Sequence, residues 1–305
     1  MKVRIVLSDY LNSAPLGWSF LHGPLKDRFD VLPSVPARCA EQLARGEGEI
    51  GLIPSIEYQR IPDLHIIPGM AVASASKIRS VLMVRRRQSG KIHSVALDTN
   101  SRTSVVLAKL LLELKMGLKL KYMPHAPDLP SMLNGCDTAV IIGDRALKVS
   151  PKEYCVTDLA EAWIGWQQRP FVFALWACRS DPPLPSDLLA VFQQAKEYGL
   201  RSRPEIAGIY SKTLGLPESP LNNYLFDNVD YELSPRHIEG LEKFYSLASE
   251  HDLIADLKTL RFLNAGAPEL YDVGRPGHLE KLEKDVSDGA HHTREMIRKI
   301  RCGVQ

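Results

Sequence analysis

The chain has 305 residues, of which 45% are hydrophobic and 24% are charged, and its formal net charge is +2. This length and composition allow buried cores for one large domain or two smaller ones, and we expect two. The nearly balanced charge leaves no strong field that would draw the protein onto nucleic acid or an anionic membrane, so an anionic ligand has to be held by local groups.

The cysteine pattern predicts free thiols and no metal site, because the number is odd, the spacing is wide and no CxxC pair occurs. The N-terminal segment contains a four-residue apolar run, far too short for a secretory leader, and no segment approaches eighteen apolar residues. We therefore expect a cytoplasmic protein that does not enter a membrane. The sequence leaves the oligomeric state open, a homodimer included. The cysteines are Cys39, Cys136, Cys155, Cys178 and Cys302.

The first part of the chain alternates short β-rich runs with helical patterns. The runs RIVL, FDVL and IGLIP predict strands, and APLGWSFLHG and PARCAEQLARGEG predict helices between them. This β-α-β-α-β order is typical of a parallel sheet with right-handed crossovers. A further strand, SVLMVRRR at 80–87, precedes the polar segment QSGK, where we place the end of the first lobe.

The alternation begins again after this break. Strands are predicted at HSVALD, KLKYM and TAVIIG, and helices at SRTSVVLAKLLLELKMG and LPSMLNG. A helix at TDLAEAWIGWQQ and a strand at 171–179 follow, and the pattern then changes to consecutive helices, LPSDLLAVFQQAKEYGLRS and SPRHIEGLEKFYSLASEHDL. The charged segment 278–300 predicts a solvent-exposed helix.

These patterns predict a two-lobed α/β fold in which each lobe is a mostly parallel sheet flanked by helices. Lobe I is predicted at 1–88 and 175–305 and lobe II at 89–174, with the helical C-terminal third packed on lobe I. Ligands of such folds lie between the lobes, at the C-terminal ends of strands, where helix N-termini point. The strand-to-helix turns are therefore the candidate ligand-binding segments.

The first such turn, SDYLNSAPL after RIVL, contains more polar residues than a helix start requires. Asn12 or Ser13 is in position to cap the next helix. Capping does not account for Ser8, Asp9 and Tyr10 in the same turn, and this surplus favours a ligand role.

Two further turns of the first lobe are weaker candidates. Ser55 follows IGLIP and is predicted to cap the next helix. The segment VASASKIRS offers small side chains, among them Ser76, with Lys77 and Arg79 as cations for an anion. An ordinary solvent-exposed loop is the alternative for this segment.

The turn TNSRTS after HSVALD is the most informative one. A helix N-terminus presents unpaired N–H groups and a partial positive charge, which favour a bound carboxylate or phosphate. An N-cap accounts for Ser101 alone, and six polar residues in a row favour an anion site. These residues are Thr99, Asn100, Ser101, Arg102, Thr103 and Ser104.

The segment IIGDRAL ends a fully apolar strand with a glycine and an acid. Gly143 permits close approach of the backbone to a ligand, and Asp144 either bonds a ligand hydroxyl or simply caps the following helix.

The motifs that the chain lacks narrow the function further. It has no P-loop, no GxGxxG after a strand, no HExxH and no GxSxG. The residues alone therefore predict a two-lobed binder of a small anionic molecule that uses no nucleotide, metal or other cofactor. They leave open whether the molecule reacts.

Six segments, in this order and spacing, resemble the chorismate dehydratases of the futalosine route to menaquinone. The resemblance covers residues 3–180, continues more weakly to 263, and finds no counterpart for the charged tail. Two departures are Arg145, where a small residue is usual, and WQQRPF, which replaces a more glycine-containing turn. The segments are SDYLNSAPL, VPARCAEQLARGEGEIGLIPSIEY, SASKIRSV, ALDTNSRTSVVLAKLLL, IIGDRAL and RPFVFALW.

The resemblance implies the type 2 periplasmic-binding-protein fold and a hydro-lyase activity that converts chorismate to 3-(1-carboxyvinyloxy)benzoate and water. The proton at C3 is acidified through the adjacent double bond by the ring carboxylate, and loss of the C4 hydroxyl then makes the ring aromatic. Such a reaction needs chiefly a positioned substrate and a polarised carboxylate.

The resemblance also assigns roles to the turn residues. Asn12 is expected to be catalytic and to orient the enolpyruvyl carboxylate or the departing hydroxyl, while the substrate's own carboxylate takes the proton. The expected substrate-binding residues are Ser8, Tyr10, Ser13, Ser55, Ser76, Thr99, Ser101, Thr103, Ser104, Gly143 and Asp144. Core packing is the expected use of most aromatics in AWIGWQQRPFVFALW, with a wall against the substrate ring as the alternative.

Two non-catalytic functions fit the same fold. A solute-binding protein for a small carboxylate is normally exported, and no leader is recognisable here. A regulatory ligand-binding domain is normally joined to a DNA-binding helix-turn-helix, whereas this chain starts directly with a strand.

Overall fold

The computed structural model describes residues 2–88, 90–179, 181 and 183–263, so the predicted helix at 278–300 lies outside the described residues. The described part contains two five-stranded sheets. The first has the spatial order β2 (Phe29–Ser34), β1 (Val3–Ser8), β3 (Ile50–Pro54), β10 (Phe171–Arg179) and β4 (Leu64–Ser74). The second has the order β7 (Lys121–His125), β6 (Ser94–Asp98), β8 (Thr138–Ile142), β5 (Val81–Arg86) and β9 (Tyr154–Asp158).

The predicted parallel cores are present in both sheets. β1 pairs in parallel with β2 and β3, and β6 pairs in parallel with β7 and β8. β3 and β8 are buried at every position, as expected for central strands that are covered on both faces. Each sheet also contains one antiparallel strand, because β10 runs against β3 and β4, and β5 runs against β8 and β9.

These antiparallel strands move the predicted boundaries at 88 and 174. The polar segment that follows residues 80–87 predicts that this strand belongs to lobe I, but Val81–Val84 pair with Ala139–Ile142 in the second sheet. β10 belongs to the first sheet from its first residue, Phe171. The chain therefore crosses between the sheets at 75–80 and at 159–170. We call each sheet with its packed helices a lobe; whether either lobe is a separate folding domain stays a prediction.

Eleven α-helices lie in the described residues, and two of them, α4 and α10, continue into π-helical turns at Leu111–Lys115 and Tyr224–Asn228. The helices are α1 (Ala14–Leu21), α2 (Pro36–Ala44), α3 (Ser55–Arg60), α4 (Thr103–Leu110), α5 (Leu129–Gly135), α6 (Gly143–Leu147), α7 (Leu159–Gln167), α8 (Leu188–Arg201), α9 (Arg203–Leu214), α10 (Glu218–Asn223) and α11 (Pro235–Glu250).

The C-terminal helices pack on the first sheet, as predicted. Phe192 of α8 lies 5.0 Å, between ring centroids, from both Phe20 of α1 and Trp176 of β10. Phe244 of α11 lies 4.9 Å from Phe171 of the same strand. Aromatic contacts add to the area that the helices bury, so α8 and α11 are both held against β10.

The described residues contain no membrane-spanning helix, and their cysteines are unpaired. No helix in this part of the chain is long and apolar enough to cross a membrane. The cysteines at 39, 136, 155 and 178 are free thiols, as predicted, and Cys302 lies outside the described residues.

Candidate functional site

A cavity lies between the two lobes, where strands of both sheets end. Ser8 ends β1, Pro54 ends β3 and Ile142 ends β8, and all three line the cavity. Ligands of open α/β sheets bind at such strand ends. The polar lining residues are Ser8, Tyr10, Asn12, Ser13, Ser101, Arg102, Thr103 and Ser104.

The turn after β1 brings Asn12 to the cavity wall. Ser13 occupies the N-cap position of α1, as predicted, but its side chain makes no capping hydrogen bond. The Ser13 hydroxyl donates instead to Asn12 Oδ1 at 3.1 Å. Because the amide oxygen is engaged in this way, the NH2 group of Asn12, which has no partner among the described residues, remains as a donor to a ligand.

The N-terminus of α4 forms a second polar wall. The helix begins at Thr103, and the N-cap position is held by Arg102 and not by Ser101; no side chain caps the helix. The N–H groups of a first helical turn have no acceptor within the helix, so these are available to an anion. Ser101 and Ser104 are buried beside them and line the cavity.

The described lining offers no side-chain base. Arg102 is its one charged residue, and the guanidinium Nη2 lies 2.8 Å from Glu41 Oε1 on α2, across the cleft. No carboxylate, imidazole, thiol or amine lines this part of the cleft. The site can therefore bind an anion through neutral donors, but its own side chains cannot take a proton from a carbon atom.

The rest of the lining is apolar and suits the faces of a small ring. Phe173 is the one aromatic of the segment 162–176 that reaches the described cavity, whereas Trp163 and Trp176 are fully buried in the core, as expected for most of these aromatics. The apolar lining residues are Pro36, Leu52, Pro54, Val72, Val81, Ile142, Phe173 and Ala174.

Hydrogen bonds join the lobes directly across the cleft, so the structure is in a closed form. Each uses a donor from one lobe and an acceptor from the other. They run from Leu11 N to Asp144 Oδ1 at 2.9 Å, from Asn100 Nδ2 to the Tyr10 hydroxyl at 3.2 Å, from Ile56 N to Thr103 Oγ1 at 3.2 Å and from Ala37 N to the Asn100 carbonyl at 3.1 Å.

Four of the twelve predicted site residues do not line the cavity. Ser55 is buried behind Thr103, with its hydroxyl donating to the Val172 carbonyl at 2.8 Å, and it begins α3 where a cap was expected. Ser76 and Thr99 are exposed to solvent. The fourth, Asp144, accepts a hydrogen bond from Leu11 N–H through its Oδ1 atom. The structure brings the other eight to the cavity: Ser8, Tyr10, Asn12, Ser13, Ser101, Thr103, Ser104 and Gly143.

The two candidate cations of the segment 72–80 also lie elsewhere. Lys77 forms an ion pair with Glu161 at 3.2 Å. The Arg79 guanidinium contacts the Pro220 carbonyl at 3.5 Å. Neither residue lines the cavity.

A buried carboxylate that sequence reasoning missed supports the α4 turn. Asp98 ends β6 and accepts hydrogen bonds from Asn100 N at 2.9 Å and Ile142 N at 3.2 Å. Burial raises the pKa of Asp98 to about 6. The signal in the sequence was an acid that closes the apolar run HSVALD.

A second missed carboxylate, Asp158 at the end of β9, joins both crossings between the lobes. Burial raises its pKa above the usual value. In the sequence Asp158 stands at the start of the helical pattern TDLAEAWIGWQQ, a position that predicts a helix cap. It accepts from Ile78 N at 3.3 Å, Arg79 N at 2.6 Å, Ala160 N at 3.0 Å and Glu161 N at 3.1 Å.

Comparisons with known proteins agree with this geometry. Residues 3–250 match the family model described as menaquinone biosynthesis. A chorismate dehydratase of Thermus thermophilus is 32% identical over 256 residues, which cover 78% of this chain and 92% of that protein.

Solved structures show the same fold at low sequence identity. A protein from Archaeoglobus fulgidus superposes with a TM-score of 0.69 at 17% identity, over 83% of this chain and 98% of that one. The periplasmic aliphatic sulphonate binding protein of Escherichia coli superposes with a TM-score of 0.58 at 16% identity, over 90% of this chain and 98% of that one. The predicted periplasmic-binding-protein-like fold is thereby confirmed.

Proposed function

Because the chain belongs to the menaquinone biosynthesis family, we infer that it is a chorismate dehydratase. The enzyme is a hydro-lyase that removes water from chorismate and forms 3-(1-carboxyvinyloxy)benzoate. The observation that carries this inference is the 32% identity to a chorismate dehydratase over most of both chains. The cavity, whose lining combines anion donors with apolar residues, supports it.

We propose that the N-terminus of α4 binds one carboxylate of chorismate. The free N–H groups of the first turn and the hydroxyls of Ser101 and Ser104 supply neutral donors in a buried site. Thr103 Oγ1 accepts a hydrogen bond from Ile56 N–H at 3.2 Å, so the first residue of α4 is held in place in the closed form. Preorganised dipoles of this kind stabilise charge that moves into the carboxylate during reaction.

The apolar side of the cavity is proposed to hold the ring. Val81, Ile142 and Phe173 offer surfaces that exclude water from a flat or nearly flat ring. As C3 and C4 become trigonal, the ring flattens toward the product. A narrow apolar site therefore favours the aromatic product geometry over that of chorismate.

Asn12 is proposed to act on the leaving group. Its NH2 group is the donor left over after Ser13 has bonded the amide oxygen. A hydrogen bond from this group to the C4 oxygen, or to the enolpyruvyl carboxylate beside it, orients the C–O bond for departure. This contact strengthens as negative charge grows on the leaving oxygen.

The proton at C3 needs an acceptor, and the described lining supplies none. We propose that a carboxylate of the substrate itself takes this proton. The electron pair of the C3–H bond moves into the diene conjugated with the ring carboxylate, and the C4–O bond then breaks. The departing hydroxide takes up the proton, so the products are the aromatic acid and one water molecule.

The test is incubation of the purified protein with chorismate. The expected result is loss of chorismate with stoichiometric appearance of the aromatic acid. The ultraviolet spectrum and the mass of the product detect this acid. A binding protein of the same fold would instead bind chorismate and release it unchanged, and that outcome would reject the enzyme assignment. A cytoplasmic location stays a prediction that cell fractionation tests.

A further inference from the structure

The turn that carries Asn12 is held in place from the opposite lobe. Leu11, the residue before Asn12, donates its backbone N–H to Asp144 Oδ1 at 2.9 Å. Leu11 is fully buried, so this N–H has no access to water and needs an acceptor. Asp144 lies on α6 in the second lobe, whereas Leu11 lies between β1 and α1 in the first.

The second lobe makes two further contacts with the same turn. The Tyr10 ring rests against Gly143, and the Tyr10 hydroxyl accepts from Asn100 Nδ2 at 3.2 Å. From its own lobe, the turn receives a hydrogen bond from the Tyr210 hydroxyl to the Asp9 carbonyl at 2.8 Å. Three contacts from the second lobe therefore set where Tyr10 and Leu11 lie, and the next residue is Asn12.

Asp144 itself does not line the cavity, although its neighbour Gly143 does. Its Oδ1 atom is used by the Leu11 N–H. The carboxylate thus acts on the backbone beside Asn12 and not on a ligand in the cavity.

We propose that Asp144 is a positioning residue of the dehydration step, which holds the Tyr10–Leu11 peptide, one residue before Asn12, in its working position when the lobes close. This inference rests on the proposed function, with Asn12 as the group that contacts substrate. Lobe closure then completes the catalytic site, because an open cleft separates Asp144 from Leu11 and releases the turn. Displacement of a catalytic group by about 1 Å commonly costs on the order of 100-fold in rate.

A pair of substitutions separates this role from direct contact with substrate. Asp144→Asn keeps an oxygen that accepts the Leu11 N–H but loses the negative charge. Asp144→Ala loses the acceptor. We expect kcat to stay within about 3-fold of wild type for the asparagine variant and to fall about 10- to 100-fold for the alanine variant, while KM changes less than kcat. Equal losses in both variants, or no loss in the alanine variant, would overturn the proposal.

Two controls complete the experiment. Asp128→Ala removes another second-lobe carboxylate that accepts one backbone N–H, from Ser131 at 3.1 Å, away from the cavity, and wild-type kcat is expected. In an Asn12→Ala background, adding Asp144→Ala should lower kcat no further, since it acts through Asn12. A full additional loss in the double variant would contradict the positioning role.

A readout independent of turnover keeps this inference distinct from the proposed function. Hydrogen–deuterium exchange of the peptide that contains Leu11 should accelerate in Asp144→Ala and stay near wild type in Asp144→Asn. Unchanged exchange in the alanine variant would overturn the positioning role even in an active enzyme. A wild-type protein that leaves chorismate intact would reject the dehydratase assignment instead, while the exchange result still decides the Asp144–Leu11 contact.

Discussion

Tyr10 and Gly143 are in contact across the closed cleft, and the contact leaves no room for a side chain at position 143. A Cβ atom there would lie 2.4 Å from Tyr10 Cδ2, far inside van der Waals distance. Gly143 also has a φ of +65°, in the left-handed region that favours glycine. The glycine therefore meets two separate requirements, one from the backbone and one from the opposite lobe.

Gly143→Ala should consequently impair closure as well as stability. The left-handed backbone costs about 1 kcal/mol for a residue with a Cβ, and the displaced Tyr10 ring adds to it. Activity at low chorismate concentration should fall at least about 10-fold, because Tyr10 can no longer seat against the second lobe. Gly215→Ala is the matched control, with a φ of +67° and no atom within 4 Å of the added Cβ. It should show a similar stability cost with unchanged kcat/KM; a parallel loss of activity in both variants would show that strain alone is responsible.

Asn12→Ala should abolish most turnover without unfolding the protein. Loss of one preorganised donor at a developing charge commonly costs about 100- to 1000-fold in kcat. The circular dichroism spectrum and melting temperature serve as the folding check. Ser13→Ala, which removes the hydroxyl that orients the Asn12 amide, should give a smaller loss. Wild-type turnover in Asn12→Ala would remove Asn12 from the mechanism.

Ser104 and Ser76 should respond differently to the same substitution. Ser104 is buried, lines the cavity and lies at the start of α4, whereas Ser76 is exposed and outside the lining. Ser104→Ala should raise the dissociation constant of the product about 10- to 100-fold through loss of one hydrogen bond to a charged group. Ser76→Ala should leave it unchanged. Isothermal titration with the aromatic product measures both, and equal effects would contradict the placement of the carboxylate at α4.

Asp98 should make the folded protein less stable as the pH rises through the weakly acidic range. Burial raises the pKa of Asp98 in the folded state to about 6, from its ordinary value of 3.8. Between these two pKa values the folded state binds more protons than the unfolded state. The free energy of unfolding therefore falls by up to about 3 kcal/mol as the pH rises from about 4 to 6, and it is level above that. The melting temperature of wild type minus that of Asp98→Asn, which does not titrate, should become lower between pH 4 and pH 7. A difference that stays constant or rises over this range would contradict the raised pKa.

The sequence was sufficient for the parallel core of each sheet, because runs such as IGLI and AVII are apolar at every position and alternate with helical periods. It was insufficient for β4, where Pro68 and Gly69 suggest a turn. The pairing of β4 with β10 is irregular at these residues. The register shifts there, so that Leu175 is opposite Ala71 and Ala177 is opposite Ile66. β9 was missed because it is a short edge strand with only alternate burial.

The site could be predicted as a set of turns, but not as a set of contacts. Polar residues at strand ends indicated the α4 N-terminus and the Asn12 turn, since these positions depend only on the order of elements. The contacts that the side chains of Asp144 and Ser55 make depend on how the two lobes meet. That relation involves residues more than a hundred positions apart for Asp144, and no local pattern encodes it.

β5 pairs in the second sheet although it follows the first strands of the chain, and β10 returns to the first sheet. This connectivity sets the order in which the two sheets can form during synthesis. β4 pairs among the named strands with β10 alone, which ends at Arg179. β5 leaves the ribosome early, yet its partners β8 and β9 end at Ile142 and Asp158. The second sheet can therefore be finished before the first, although the first begins at the N-terminus. Until then β4 has an unpaired edge, and nascent chains arrested before residue 171 should be the ones that aggregate.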